Sequence, residues 1–476
     1  MTQVIVIGGG LAGLSSAVAL ANAGIIVNVY ERRSVLGGRA SSFIHPSTGR
    51  QIDNCQHVLL GCCVNLIDFF NQLGVSNQIT FHEAIPFIDE SNQISVIKSS
   101  RLPLPPPLHL LPSFLRLKTM GIMDKLSVFN TVSRMIRHVI INRKFEPLSP
   151  ENPISMENWL KSHGASSRAI EAFWKPFLIS ALNDDLDDID ANYGINTSAR
   201  ALMSNRSGYQ VGLSTGPLAD LYIPCIDYIE QRGGRIFLDQ SISNISSQGN
   251  NISSLTLQDG KSVTAENYIT TVPFDILRKL LPENYTSHPY FSRTNELSMS
   301  PITSVHVWFD RPVTDLDYAA VIGKKIQWIF NQSIRKQKTS DQKDQSTYLG
   351  LVVSASDAWM KLPQNQIINQ AMDDLKSILP ETRKAKLLKA IVVKEGKATF
   401  APKPGCDLLR PDPSTPLSNL FIAGDWVQTG WPATMESAVR SGYQAAEILL
   451  KTLGTPTKIL KPELSLEGIL KWLIQR

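Results

Sequence analysis

An α/β fold built on a Rossmann dinucleotide-binding unit is predicted by two stretches at opposite ends of this 476-residue chain. The first, Val4 to Ala40, begins VIVIGGGLAGLSSAVALANAG and reads as apolar strand, glycine turn and small-residue helix, followed by a second strand, IVNVYE, that ends in an acid. The other, from Ser418, reads as apolar strand, Ala-Gly-Asp-Trp, loop and helix. Long apolar insertions separate them, so the prediction is a Rossmann domain carrying an inserted α+β substrate domain.

Gly8, Gly10 and Gly13 occupy the G-x-G-x-x-G positions. The first permits the tight turn, the second lets backbone approach a diphosphate, and the third lets helix pack on strand. Leu11 and Ala12 open the helix, whose free N–H groups and positive dipole end point at the diphosphate. Glu31 closes the second strand at the distance expected for an acid that bonds ribose hydroxyls. It would repel a 2′-phosphate, so the dinucleotide is FAD or NAD rather than NADP. Arg32 follows it, and then Gly37, Gly38 and Arg39, two glycines that let backbone pass a ligand and a base that pairs with phosphate.

The combination E-R-x-x-x-L-G-G-R resembles the large flavoprotein family of amine oxidases, phytoene desaturases and protoporphyrinogen oxidases. That resemblance implies FAD, with the GGR loop on its diphosphate, and a glutathione-reductase-like fold. Next comes D-N-C-Q-H-V-L-L-G, Asp53 to Gly61, which is similar to the signature of the squalene-associated FAD-dependent desaturases, the hydroxysqualene dehydroxylases. In relatives this segment passes under the flavin ring, which places Gln56 and His57 there. The subfamily usually has glycine where this chain has Cys55, so a side chain is added near the ring. An amphipathic helix completes the stretch to Gly74.

Residues 76–204 lose the nucleotide-domain pattern. Arg101 to Pro112 is a proline cluster and is expected to be extended loop. Ser113 to Lys144 reads as a core helix pair with solvated basic faces, or, in a sharper reading, as a surface resting on lipid headgroups. Phe173 to Leu182 suits the lining of an apolar cavity, and the acid run after it reads as a solvated helix start. From about 205 the nucleotide pattern returns with helix, Gly233–Gly234 turn and strand. The resemblance puts Ile242 at the adenine, through its backbone. Asp259–Gly260 marks a hairpin, and Tyr268 to Pro273 a further strand.

Residues 276–404 form the second instalment of the insertion. Ser300 to Pro312 alternates like a strand with one buried face and carries His306; SIRKQKTSDQKDQS is a polar loop. The closing stretch places Gly424 and Asp425 at the end of an apolar strand and starts a helix after Pro432, with Thr434 and Met435 at its positive end, where reduced flavin gathers negative charge. It resembles the hydroxysqualene dehydroxylases as well. The expected units are residues 1–75, 205–275 and 405–452 for FAD, 76–204 and 276–404 for substrate, and an amphipathic tail, 453–476, that either docks on the protein or touches membrane.

Composition narrows the partners. Hydrophobic content of 43% and charged content of 19% describe a globular chain, and its net charge of +5 suits an anionic membrane surface without calling for nucleic acid. Five scattered cysteines make neither a disulfide framework nor a metal site, and they fit a reducing cytoplasm. The apolar start lacks the basic flank of a signal peptide, and no run reaches the length of a membrane span. There is no second G-x-G-x-x-G, so an external electron donor or acceptor is expected.

The resemblance implies reduction of hydroxysqualene, an isoprenoid, to squalene in hopanoid-type biosynthesis, with His57 as the acid that helps hydroxide leave. Three alternatives remain: a carotenoid desaturase, an amine oxidase with Trp426 and Trp431 in an aromatic cage, and a prenyl escort protein without flavin chemistry.

Overall fold

The computed structural model describes residues 3–46, 49, 51–142, 153–333 and 346–474. Its organising layer is a five-stranded sheet of β1 (Gln3–Ile7), β2 (Ile26–Tyr30), β3 (Arg235–Phe237), β4 (Asn267–Thr270) and β5 (Leu420–Ile422), in the order β3-β2-β1-β4-β5. Every pairing in it is parallel. The strand order reverses at β1, with β2 and β3 added on one side and β4 and β5 on the other, so the carboxyl ends of β1 and β4 open a crevice where such sheets take ligands.

Seven helices position the site: α1 (Leu11–Asn22), α2 (Val64–Gln72), α3 (Leu111–Leu115), α4 (Ile122–Asn142), α5 (Lys175–Leu182), α6 (Met435–Thr452) and α7 (Gly468–Ile474). Every residue of α1 from Leu11 to Ala21 is buried. A helix with so little polar face must be covered on two sides, and here the parallel sheet covers one and α6 the other. The approach is close. A Cβ at Gly13 would lie 1.9 Å from the Gly8 carbonyl oxygen, and one at Gly442 would lie 2.2 Å from Ser15 Oγ.

A second, seven-stranded sheet runs Leu387–Phe400, Met299–Phe309, Thr347–Ser354, Trp328–Asn331, Tyr318–Val321, Ala84–Ile88 and Ile94–Lys98. It is antiparallel except where Tyr318–Val321 meets Ala84–Ile88. The strand containing His306 was expected to bury one face. It buries both, because the apolar face of the amphipathic helix Gln364–Ile378 covers Val305 and Val307 on one side while Trp308 on the other packs with Ile52, Tyr348 and Ile391. Most of the polar loop expected after Ser333, residues 334–345, lies outside the described residues, as does the end of the Ser113–Lys144 segment.

The tail docks on the protein rather than standing free. Glu463 accepts from Arg200 Nε at 2.9 Å and from Trp431 Nε1 at 3.0 Å, Glu467 accepts from Asn205 at 2.9 Å, and Leu470 of α7 is buried. Its terminal base, Arg476, lies outside the described residues.

Two outcomes test this packing. Gly442→Ala forces α1 and α6 apart and should cost about 2 kcal/mol, read as a lowered midpoint in urea denaturation. His306 is buried with Nδ1 2.8 Å from the Tyr348 hydroxyl, and burial, helped by nearby His45, pushes its pKa down to about 4. The unfolded chain therefore binds a proton that the folded chain refuses between about pH 6.5 and 4, and stability falls as pH falls through that window. His306→Gln should flatten the dependence of the denaturation midpoint on pH across the same interval.

Candidate active site

One cavity of ≈ 470 Å³ runs from the glycine turn into the space above the second sheet. Of the residues singled out from sequence, Gly8, Gly10, Leu11, Ala12, Glu31, Arg32, Gly38, Arg39, Gln56, His57, Ile242, Gly424, Asp425, Thr434 and Met435 all line it. Gly13 does not. It sits behind the turn, where its hydrogen lets α1 close on the Gly8 carbonyl.

The groove end is made of backbone held close to backbone. Gly8 N donates to the Tyr30 carbonyl at 2.8 Å, Gly37 N to the Gly9 carbonyl at 2.8 Å, and a Cβ at Gly38 would come within 3.1 Å of Gly10 Cα. Gly8 and Gly38 have φ of +109° and +61°, which glycine adopts without strain. The N-cap of α1 is Gly10, which offers no side chain to the helix's first N–H groups. That leaves an anion-binding end facing the cavity. Glu31 is 6% exposed; one carboxylate oxygen accepts from Gly9 N at 2.6 Å and the other from Arg33 N at 2.8 Å. It thus braces the turn while presenting its edge to the cavity.

The far wall of the groove comes from the other end of the chain. Arg39 Nη2 donates to Asp425 Oδ1 at 2.5 Å and Nη1 to the Ala398 carbonyl at 2.9 Å. Thr434 is the N-cap of α6 and accepts from Ser437 N at 3.1 Å, so Met435 begins a helix whose positive end faces the cavity. Gly424, at φ +145°, has no room for a side chain beside the Trp426 indole, 2.6 Å from where a Cβ would lie. Trp431 lines the cavity, whereas Trp426 turns away and donates to the Val272 carbonyl at 3.2 Å. The two indoles therefore do not form the paired cage that an amine-oxidase reading needs.

Two residues that sequence reasoning missed hold this arrangement. Arg410, 3% exposed, donates to the carbonyls of Val427 at 2.6 Å and Asp425 at 3.2 Å and to Tyr193 Oη at 2.7 Å. It fixes the loop that carries Asp425. Glu436, fully buried, accepts from Asn65 Nδ2 at 2.8 Å and Leu66 N at 2.8 Å at the start of α2. Burial raises its pKa, and these hydrogen bonds and Arg440 oppose the rise. It ties the segment after His57 to α6. Arg410 lies in no distinctive motif; Glu436 is the Glu of A-T-M-E-S in the closing stretch, a signal the sequence offered without a role for it.

His57 is held in one orientation by backbone. Its Nδ1 lies 2.9 Å from the Cys55 carbonyl, an acceptor, so Nδ1 carries the hydrogen and Nε2 the lone pair. Burial lowers its pKa, which keeps the ring neutral near pH 7. Such a ring must first take up a proton at Nε2 before it can donate one. Cys55 is buried with its thiol pushed up to about 11 by burial, so it acts as a small apolar filler rather than a thiolate. The lining also holds a group of apolar side chains, among them Ile85, Phe177, Ile302, Trp328, Phe330 and Val352, beside polar residues such as Ser180 and Asn183.

A nucleotide groove at the carboxyl end of a parallel sheet, capped by a second helix and opening into an apolar chamber over a mixed sheet, defines a two-domain FAD-binding protein of the glutathione-reductase-like fold. The chain belongs to the flavin containing amine oxidoreductase family, which it matches over residues 11–450. It is 26% identical over 462 residues to the 15-cis-phytoene desaturase of Solanum lycopersicum, covering 94% of this chain and 78% of that protein. It is 25% identical over 478 residues to the zeta-carotene desaturase of Synechocystis, covering 94% and 97%. Among solved structures, an oxidoreductase from Methanosarcina mazei superposes with a TM-score of 0.70 at 18% identity over 93% of this chain and 99% of that one. Putrescine oxidase bound to putrescine gives 0.70 at 14% identity over 94% and 99%. The cofactor is FAD, and the glycine turn, the uncapped start of α1 and the Arg39–Asp425 wall are the features of this chain that fit it.

The Arg410 bolt makes a direct prediction. Arg410→Met leaves several carbonyls and Asp407 without their cation, and should lower stability by about 3 kcal/mol. Purified variant should carry markedly less FAD per chain by absorbance than the parent.

Proposed function

We propose that this protein is an FAD-dependent oxidoreductase that reduces hydroxysqualene to squalene. One observation supports the reading: residues Asn54 to Leu60 of the D-N-C-Q-H-V-L-L-G segment line the same cavity as the glycine turn and the apolar side chains of Phe177, Trp328, Phe330 and Val352. Stretches 76–204 and 276–404 serve as the substrate domain. Bound reduced FAD supplies the hydride. The residues of this chain do the rest. Phe177, Trp328, Phe330 and Val352 shelter an isoprenoid chain and exclude the water that would trap an allylic cation. His57 is the proton relay: Nε2, which holds the lone pair while Nδ1 bonds the Cys55 carbonyl, takes a proton from solvent and passes it to the allylic hydroxyl, which leaves as water as the hydride is added. The site residues named above hold the flavin, with Glu31 and Ile242 at the adenosine end and Thr434 and Met435 at the ring.

A second reading is desaturation of a carotenoid-like polyene, and the desaturase relatives favour it. The same chamber would hold such a substrate, and electrons would pass the other way. In either direction the electron partner is external. Among the described residues no helix is long and apolar enough to cross a membrane. The localisation we propose is the cytoplasm, with peripheral contact at the inner face of the membrane.

Anaerobic mixing of chemically reduced enzyme with hydroxysqualene should reoxidise the flavin and yield squalene in equal amount. Oxidised enzyme that instead converts phytoene to a more unsaturated product, with no squalene from the first mixture, replaces this reading with the second. His57→Ala should keep its FAD and lose about 10²-fold in turnover; unchanged turnover removes His57 from the reaction.

A further inference from the structure

We propose that the outer face of α3 and the first half of α4 is a docking surface for an anionic lipid bilayer. The proposal deepens the reading of an oily substrate, on which its purpose rests, but its evidence is independent of that reading.

The inward face of α4 is an ordinary core face: Val128, Thr131, Met135 and Val139 are buried. The outward face should therefore be polar. It is not. Ile122 is 78% exposed, Met123 76%, and Leu126 and Phe129 56% each; Leu115, at the end of α3, is 56% exposed as well. Ile122, Leu126 and Phe129 recur at helical spacing, so they project together. Nothing among the described residues covers them, and exposed apolar side chains grouped in this way mark a contact surface.

Charge selects the occupant. Between Arg101 and Ile140 the sequence holds six Lys and Arg against the single acid Asp124, an excess of five that equals the net charge of the whole chain. Arg116, Lys118, Arg134 and Arg137 are exposed around the apolar group. Protein interfaces thin out lysine at their centres and pair their charges with a partner's. A ring of bases around protruding aliphatic side chains matches instead a surface that is anionic outside and hydrocarbon within. α7 packs beside α4 and adds Lys471 and Trp472, the latter 56% exposed, a ring that suits headgroup depth.

The same layer reaches the cavity. Phe114 of α3 packs edge-on against Phe173 at 5.3 Å, and Phe177, one turn further along, lines the chamber. The docking face and the chamber wall are thus two sides of one helical layer, which gives a bilayer-dissolved isoprenoid a short way in.

The test is flotation of the FAD-loaded full chain with vesicles of phosphatidylcholine alone and of phosphatidylcholine mixed with phosphatidylglycerol, without substrate. Binding should need the anionic lipid and weaken with added salt. The combined variant Ile122→Ser, Met123→Ser, Leu126→Ser, Phe129→Ser should bind at least about tenfold less while keeping its FAD. Its turnover on detergent-dispersed substrate should stay at the parent level. No binding by the parent, or equal binding by parent and variant, overturns the proposal. So does a dimer of the parent that the variant loses, since the face would then join two copies of this chain. Because the vesicles carry no substrate, failure of hydroxysqualene turnover leaves this result standing, and the converse holds.

Discussion

The fold depends on the contact between α1 and α6, helices that lie more than four hundred residues apart in sequence. Gly442 faces Ser15 and the Ala12 carbonyl with no side chain between them, and Gly13 faces the Gly8 carbonyl in the same way. These two absent methyl groups let sheet, first helix and last helix stack tightly enough for both helix N-termini to open on one groove. In the binding mode proposed here the positive ends would act at two points along a single long ligand, the diphosphate near Gly10 and the ring near Thr434. A looser stack would leave two half-sites.

The bridge across that groove is electrostatic. Arg39 belongs to the first motif and Asp425 to the last, and their ion pair joins the two walls. Asp425 is 6% exposed and its loop is bound from behind by Arg410, so the pair is part of a fixed wall rather than a surface contact of small worth. Glu436 repeats the device on the other side by holding the start of α2. The segment carrying Gln56 and His57 is thereby anchored at both ends: through Gln332, which donates to Gln56 at 2.6 Å, and through α2.

Much of this was legible in the sequence. Glycines at fixed offsets, an acid closing the second strand and a helix after Pro432 carry local geometric meaning, and the structure gathers them around one cavity. What was not legible depends on distance. Arg410 gains its role only when a loop from 425–429 folds over it, and Glu436 only when α2 arrives from 371 residues away. Which nitrogen of His57 faces the cavity was likewise not legible, because it depends on the bond between Nδ1 and the Cys55 carbonyl. The alternation around His306 suggested one buried face because a pattern of small and apolar residues does not reveal how many layers will cover a strand. Likewise the tail's amphipathic pattern did not disclose Arg200 and Asn205 as its anchors.

The central claim is that both ends of the chain grip the whole length of one dinucleotide flavin. Titration of deflavinated protein with FAD and with FMN, followed by flavin fluorescence, tests it most directly. One FAD should bind per chain, and FMN, which cannot reach Glu31 and Ile242, should bind far more weakly. Equal affinity for the two flavins, or no saturable binding of FAD, would contradict the account.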